Sequence, residues 1–378
     1  MQKLLKIAMI FSYDPSQAGG VQEHVRLLSN SLHNLGHQVD IYGPEKNIHK
    51  FINYNAIAKS ITVPVPNGSW ANITVEKNDI KKTINKLNKN KYDIIHIHDP
   101  YVPFIAWEIM KKTESKKVAT FHSAWEKNSI INFINPFITL FQDTFSTNFS
   151  GAIFVSKIVE KRWQELTGKK IKQKIIHNGV DDAFFPVKKK TTSEINLLFL
   201  GRLVEKKGPR YLLKAFYKIV KKLPQIKLTF VGKGPIKESL KNYVKNKKMG
   251  NKVVFAGEII GQKRVKFYQQ ADIFCAPYSD EAFGLTILEA MSAGTPIVGF
   301  KNSAFKEILK DYPYPEFLVK SRDIEKLAQA LEKLIKEKDK REEISSWLIK
   351  ESKKYGWEKI AKKTEEFYYK VLDQKLKA

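Results

Sequence analysis

Short apolar runs alternate along the chain with longer stretches whose apolar positions recur at helical spacing. KIAMIFS (Lys6 to Ser12), VDIYG from Val39, IIHIH from Ile94, VATFH from Val118 and GAIFVS from Gly151 read as buried strands. Val21 to Leu35 reads as an amphipathic helix after the first of them. Such alternation predicts βαβ units on a parallel sheet. A second series begins at NLLFLGR from Asn196 and continues through LTFVG from Leu228, VVFAG from Val253, DIFCAP from Asp272 and PIVGF from Pro296. DDAFFPVKKKTTSE lies between the two series, and its proline, consecutive lysines and polar residues predict an interdomain linker at Asp182 to Glu194. The pattern therefore predicts an α/β chain of two doubly wound, Rossmann-like domains. From about Asp323 to the end it turns helical and rich in lysine and glutamate. Trp357, Ile360, Phe367 and Val371 recur there at near-helical spacing, a stripe that needs an apolar surface to cover.

Composition narrows the class. With 378 residues, 43% hydrophobic and 28% charged, the chain can fill two cores and is not intrinsically disordered. The single cysteine, Cys275, excludes an intramolecular disulfide and a cysteine-based metal site, which points to a cytoplasmic protein. The N-terminal apolar run lacks a small-residue cleavage site and fits a first strand better than a signal peptide. No apolar stretch approaches the roughly 20 residues of a membrane span.

Charge changes the picture more. The 66 Lys and Arg against 39 Asp and Glu give +27, which suits an anionic partner: nucleic acid, an acidic membrane surface or a phosphorylated substrate. The alternative is a lysine-rich bias that only solvates the surface. Lys81, Lys82, Lys86, Lys89 and Lys91 form a basic run whose default reading is a solvated helix face. Aromatic residues are not interleaved with arginines as in RNA-binding proteins, so no nucleic acid is expected.

Candidate chemistry falls at strand-to-helix turns, where open α/β sheets bind ligands. Gly19-Gly20-Val21 would let a phosphate approach backbone N–H groups, although the full G-x-G-x-x-G fingerprint is missing. Gly232-Lys233-Gly234 repeats that arrangement. Arg202, after NLLFLG, and Lys207, before a helix, could neutralise a diphosphate. Each close charge pair would contribute about 4 kcal/mol of gross attraction at an effective dielectric of 20. In Glu281-Ala282-Phe283-Gly284-Leu285-Thr286-Ile287-Leu288-Glu289 a loop carboxylate and a helical carboxylate can line one pocket, as acceptors suited to sugar and ribose hydroxyls. The N–H groups of Phe283, Gly284 and Leu285 are donors for phosphate oxygens. His122 could serve a substrate hydroxyl or be purely structural. His96, His98 and Asp99 superficially resemble a metal set, but a third separated ligand is not evident. No D-x-D pair is present, so metal independence is expected, with leaving-group charge falling to Arg202 and Lys207.

GGVQEHV, ATFH, IHNGVD, GRLVEKKG, EAFGLTILEAMSAGTPIV and YGWEKIA together resemble the family-4 retaining glycosyltransferases of GT-B fold, over nearly the whole chain. VPVPNGSWANI, IIHIHDPYVP and ADIFCAPYSDEAFG, in similar order, are most similar to the bacterial phosphatidylinositol mannosyltransferase-like members. The resemblance implies an acceptor-binding domain at 1–186, a nucleotide-sugar domain at 195–352 and a helix at 353–378 that returns to the first domain, anchored by Trp357. The two domains would face a central cleft and close on the donor. The resemblance further implies that Gly19 and Gly20 approach the donor phosphates, Arg202 and Lys207 bind the diphosphate, Glu281 the transferred sugar, Glu289 the ribose, and that His122 contacts the sugar. GRLVEKKG is one residue shorter than its counterpart, and GEIIG lacks the acidic residue expected near a guanine. GDP-mannose and a UDP-sugar therefore both stay open: Glu258 could substitute beside guanine, or Ile259 and Ile260 could pack around uracil. The implied activity is retaining transfer of a mannose- or glucose-type sugar to an acceptor hydroxyl, on a lipid headgroup such as phosphatidylinositol. The protein would be peripheral on the inner face of the cell membrane, with no tightly bound cofactor. A cytosolic transferase of polysaccharide or small-glycoside synthesis is the alternative within the class. A basic nucleic-acid-binding protein and a non-catalytic nucleotide-sugar binder are the alternatives outside it.

Overall fold

A computed structural model describes residues 3–14, 19–44, 51–57, 60–65, 69–74, 77–100, 105–123, 148–167, 171–186, 194–259 and 261–373. The chain divides into two compact units, one made of Met1–Gly179 with Trp357–Ala378 and the other of Val180–Gly356.

The first unit contains β1 (Lys6–Ile10), α1 (Gly20–Asn34), β2 (Gln38–Gly43), β3 (Tyr54–Ala56), β4 (Ser60–Val65), β5 (Ser69–Thr74), α2 (Lys77–Asn90), β6 (Ile94–His98), α3 (Ile105–Lys112), β7 (Lys116–Phe121), β8 (Gly151–Phe154), α4 (Lys157–Thr167) and β9 (Gln173–Ile175). Seven of these strands form a parallel sheet in the order β3-β2-β1-β6-β7-β8-β9. β4 and β5 make a separate antiparallel hairpin. The central strands are buried along their length because helices cover both faces of a parallel sheet, which is why they read as continuous apolar runs. The order reverses between β1 and β6, so ligands are expected beyond the carboxyl ends of these two strands.

The second unit contains β10 (Ile195–Leu200), α5 (Pro209–Val220), β11 (Ile226–Val231), α6 (Lys237–Asn246), β12 (Val253–Gly257), α7 (Val265–Gln270), β13 (Ile273–Ala276), α8 (Leu285–Ser292), β14 (Ile297–Phe300), α9 (Ser303–Ile308), β15 (Leu318–Val319), α10 (Ile324–Lys336) and α11 (Lys338–Ser352). Its strands are all parallel, in the order β12-β11-β10-β13-β14-β15, with the reversal between β10 and β13. Side-chain caps punctuate the helices: Asn302 accepts from Phe305 N at 3.1 Å before α9, and Asp323 from Lys326 N at 2.9 Å before α10.

The last helix, α12 (Trp357–Leu372), belongs to the first unit. It buries Trp357, Ile360, Ala361, Phe367, Tyr368 and Val371 with Leu5, Ile7, Val25, Leu28 and Ile153 in one apolar cluster. The chain passes from the first unit to the second between Gly179 and Val180, just before the lysine- and proline-rich stretch. Asp181 begins a short helical turn of the second unit by accepting from Ala183 N, and 187–193 lies outside the described residues. The return likewise begins at Trp357 and not at residue 353, since 353–355 form a helical turn in the second unit. Helix α2 buries Ile80, Thr83, Ile84 and Leu87 and exposes Lys81, Lys82, Lys86 and Lys89. No helix among the described residues is long and apolar enough to cross a membrane.

Candidate functional site

In the second unit the loops leaving β10 and β13 carry the predicted cations and carboxylates to the strand-order reversal. Lys207 forms an ion pair with Glu281 and lies 4.3 Å from the Tyr278 ring centroid. Tyr278 is buried, and its hydroxyl is fixed by the Leu200 carbonyl at 2.9 Å and Thr286 Oγ1 at 3.1 Å. The Lys206 carbonyl accepts from Ser279 N and Ser279 Oγ, both at 3.0 Å, which laces the two loops together. Arg202 lies within electrostatic reach of Glu281. Lys206 is a third cation, unmarked by the sequence motifs. Burial, then repulsion from Arg202 and Lys207, lowers its pKa, and Glu281 and Asp280 oppose this. Crowded cations that share few carboxylates make a site for a polyanion.

Glu289 is buried on α8, and both carboxylate oxygens are engaged. Arg264 Nη2 lies 2.9 Å from Oε1, and the Tyr268 hydroxyl donates to Oε2 at 2.8 Å. Burial and the Glu289 charge hold the Tyr268 phenol well above its ordinary range, so it remains a donor. Neither Arg264 nor Tyr268 belongs to a recognisable motif.

Gly284 caps α8 at φ 91°, a left-handed conformation that favours glycine, and α8 starts without a side-chain cap. Leu285 opens that helix, and Phe283 is buried with its ring edge toward Tyr355. At Gly232 a Cβ would sit 2.0 Å from the Gly201 carbonyl, and at Gly234 one would sit 2.3 Å from that of Leu203. This turn therefore supports the Arg202 loop from behind, backbone against backbone. Glu258 is exposed and pairs with Lys233 at 2.6 Å; Ile259 is half-buried and Ile260 lies outside the described residues.

In the first unit Gly19 is the extended N-cap of α1 and Gly20 its exposed first residue. His122, just past β7, is half-buried and meets two histidines that the motifs did not single out as its partners. His98 Nδ1 lies 3.2 Å from His122 Nε2, and the His24 ring crosses that of His122 edge-on at 4.6 Å. Burial, with charge repulsion from His96, lowers the His122 pKa to about 3, and burial drives those of His24 and His98 well below their ordinary value. All are neutral imidazoles near pH 7. Asp99, at φ 52°, accepts from His122 N at 3.1 Å, the Tyr13 hydroxyl at 2.9 Å and Ser123 Oγ at 3.2 Å. Its carboxylate is thus committed to the loop. A third separated ligand was not evident in the sequence beside His96, His98 and Asp99; in the structure His24, on α1, and His122 both converge on His98. His96 does not take part, because Tyr368 and Thr120 hold its two nitrogens, each at 2.6 Å.

Doubly wound units with cations gathered at a strand-order reversal are characteristic of Rossmann-like proteins, whose ligands bind at that point. Residues 18–184 match Glycosyltransferase Family 4, and residues 180–347 match Glycosyl transferases group 1. The chain is 30% identical over 315 residues to a phosphatidyl-myo-inositol mannosyltransferase of Mycolicibacterium smegmatis, covering 81% of this chain and 79% of that one. It is 23% identical to an alpha-monoglucosyldiacylglycerol synthase of Streptococcus pneumoniae, covering 94% and 83%. Among solved structures, HepE of Anabaena in complex with UDP and glucose superimposes with a TM-score of 0.77 at 16% identity, over 96% of this chain and 99% of that one. The chain belongs to the family-4 glycosyltransferases, and its fold is GT-B.

Proposed function

We propose that the protein transfers a hexose, with retention, from a nucleotide-diphosphate sugar to a hydroxyl on a membrane lipid headgroup. The observation that carries this reading is the convergence of Arg202, Lys206 and Lys207 on Glu281 at the reversal point of the second unit. Arg202 and Lys207, with Lys206, receive the diphosphate and stabilise the charge that develops as it departs. Glu281 accepts from hydroxyls of the transferred sugar, and Glu289, oriented by Arg264 and Tyr268, accepts from the ribose. With these cations at the leaving group, the chemistry needs no protein-held metal at the diphosphate. No enzymic nucleophile is assigned: a departing diphosphate oxygen takes the acceptor proton on the same sugar face, which retains configuration. His122, neutral, is the candidate contact for a sugar hydroxyl in the first unit.

The acceptor class rests on the two relatives named for lipid glycosylation and on the exposed lysines of α2, which suit an anionic surface. The neighbour solved with UDP and glucose supports a nucleotide-sugar donor, and Glu258 with Ile259 are the side chains proposed to meet the base.

Thermal stabilisation by UDP, GDP and ADP forms tests the donor, because a ligand at 100 times its dissociation constant adds about 2.7 kcal/mol. One selective shift, followed by sugar transfer to phosphatidylinositol or diacylglycerol vesicles, is the expected result. No shift with any nucleotide removes the transferase reading.

A further inference from the structure

We propose that His24, His98 and His122 form a binding site in the first unit for a divalent transition metal of the Zn²⁺ class. One ligand nitrogen from each lies within 4.8 Å of the others. The ring centroids are 5.4 Å apart for His24 and His98, 4.6 Å for His24 and His122, and 5.5 Å for His98 and His122. Three imidazoles on one tetrahedral ion with Zn–N of ~2.0–2.1 Å would place their nitrogens ~3.3 Å apart. His98 Nδ1 and His122 Nε2 already stand at 3.2 Å, and the His24 ligand nitrogen lies within 4.8 Å of both.

Two further observations separate this cluster from ordinary packed histidines. His24 Nε2 is buried without a hydrogen-bond partner, on a side chain only 4% exposed. His24 also carries an outer-shell partner of the kind metal-binding histidines use. Its Nδ1–H donates to Asn178 Oδ1 at 2.7 Å, which fixes the tautomer and leaves the Nε2 lone pair free. His96, though its ring lies tilted against that of His98 at 4.1 Å, offers no nitrogen, and Asp99 is turned to Tyr13, Ser123 and the His122 amide. Three protein ligands with a fourth position for water or an anion are the pattern of an open zinc site.

An ion held there occupies His122, so it competes with any substrate hydroxyl at that imidazole and inhibits transfer. That consequence rests on the proposed function, whereas the site does not.

The test uses the full chain, stripped with a chelator, titrated with Co²⁺ by visible absorption and then with Zn²⁺ in competition. One equivalent with the intense band of a low-coordinate Co²⁺ ion is expected. His24→Asn and His98→Asn should each weaken binding at least ~10-fold, and so should Asn178→Ala, which keeps all three ligands. His33→Asn, at an exposed position in the last turn of α1, serves as the control and should change nothing. Absence of binding, or binding that survives both ligand substitutions, overturns the site. Should a ligand variant not fold, X-ray absorption of the Co²⁺-loaded wild type counts the imidazoles: three support the site and fewer overturn it. Transfer assays with Zn²⁺ and chelator judge only the inhibition, so a failed transferase reading leaves the metal titration standing.

Discussion

Lys207 and Glu281 stand on the loops that leave adjacent strands β10 and β13, and they close an ion pair beside the Tyr278 ring. A diphosphate must therefore win Lys207 from Glu281, and in doing so it frees the carboxylate for a sugar hydroxyl. Glu281→Gln should accordingly tighten binding of the bare nucleotide diphosphate by about tenfold, or ~1.4 kcal/mol. Transfer should at the same time fall by ~10²-fold or more, and Lys207→Ala or Arg202→Ala should weaken both. Calorimetry and steady-state kinetics on these variants check the pair; unchanged affinity and turnover in Glu281→Gln would remove Glu281 from the site.

Glu289 depends on its two donors in a different way. Removing Arg264 leaves a buried carboxylate short of its countercharge, and Arg264→Ala should cost about 3 kcal/mol of stability. For a domain of this size that corresponds to a melting temperature lower by ~6–12 °C. Tyr268→Phe keeps the countercharge and loses one charge-assisted hydrogen bond, about 1.5–3 kcal/mol. If Glu289 serves the ribose, Tyr268→Phe should raise KM for the donor several-fold with little change in kcat. A kcat effect without a KM effect would place Tyr268 elsewhere in the reaction.

The parallel strands were legible because each is a short apolar run bounded by turn residues, and IIHIH and NLLFLGR fall within two residues of β6 and β10. The glycine turns and the Glu281 to Glu289 stretch were legible because they are local in the chain. His24 was not, since its partner Asn178 is 154 positions away and only the parallel order β1-β6-β7 brings α1 to His98 and His122. Arg264 and Tyr268 were missed for the same reason, as they reach Glu289 from the turn before α7 and from α7 itself, and from no motif. Composition marks where a chain is polar, whereas the division between the compact units follows packing: it falls between Gly179 and Val180, where Val180 bridges to Gly356 and Gly179 lies under Trp357.

That last contact is itself a prediction. A Cβ at Gly179 would stand 2.5 Å from Trp357 Cδ2, and Trp357 crosses the His24 ring edge-on at 5.1 Å. Gly179→Ala must push the indole out of its seat, at a cost of about 1–3 kcal/mol. Trp357→Leu, which removes the clashing ring, should make Gly179→Ala nearly neutral when the two are combined. Additive destabilisation in the double variant, measured by denaturant midpoints, would show that the glycine is not held by the tryptophan.

Helix α2 offers the sharpest test of the membrane reading, because its two faces separate stability from binding. Ile80, Ile84 and Leu87 are buried, while Lys81, Lys82 and Lys89 are exposed, so replacing these three lysines by alanine should leave the melting temperature unchanged. Each lysine near an anionic surface contributes about 1 kcal/mol, so the triple variant should bind phosphatidylglycerol vesicles ~10²-fold more weakly. Wild-type binding should itself fall with salt, since the attraction decays within a Debye length of about 10 Å at 0.1 M. Cosedimentation at low and high ionic strength reads both effects. Vesicle binding that ignores the three lysines and the salt would leave α2 as a solvated face and move the acceptor toward a soluble glycan.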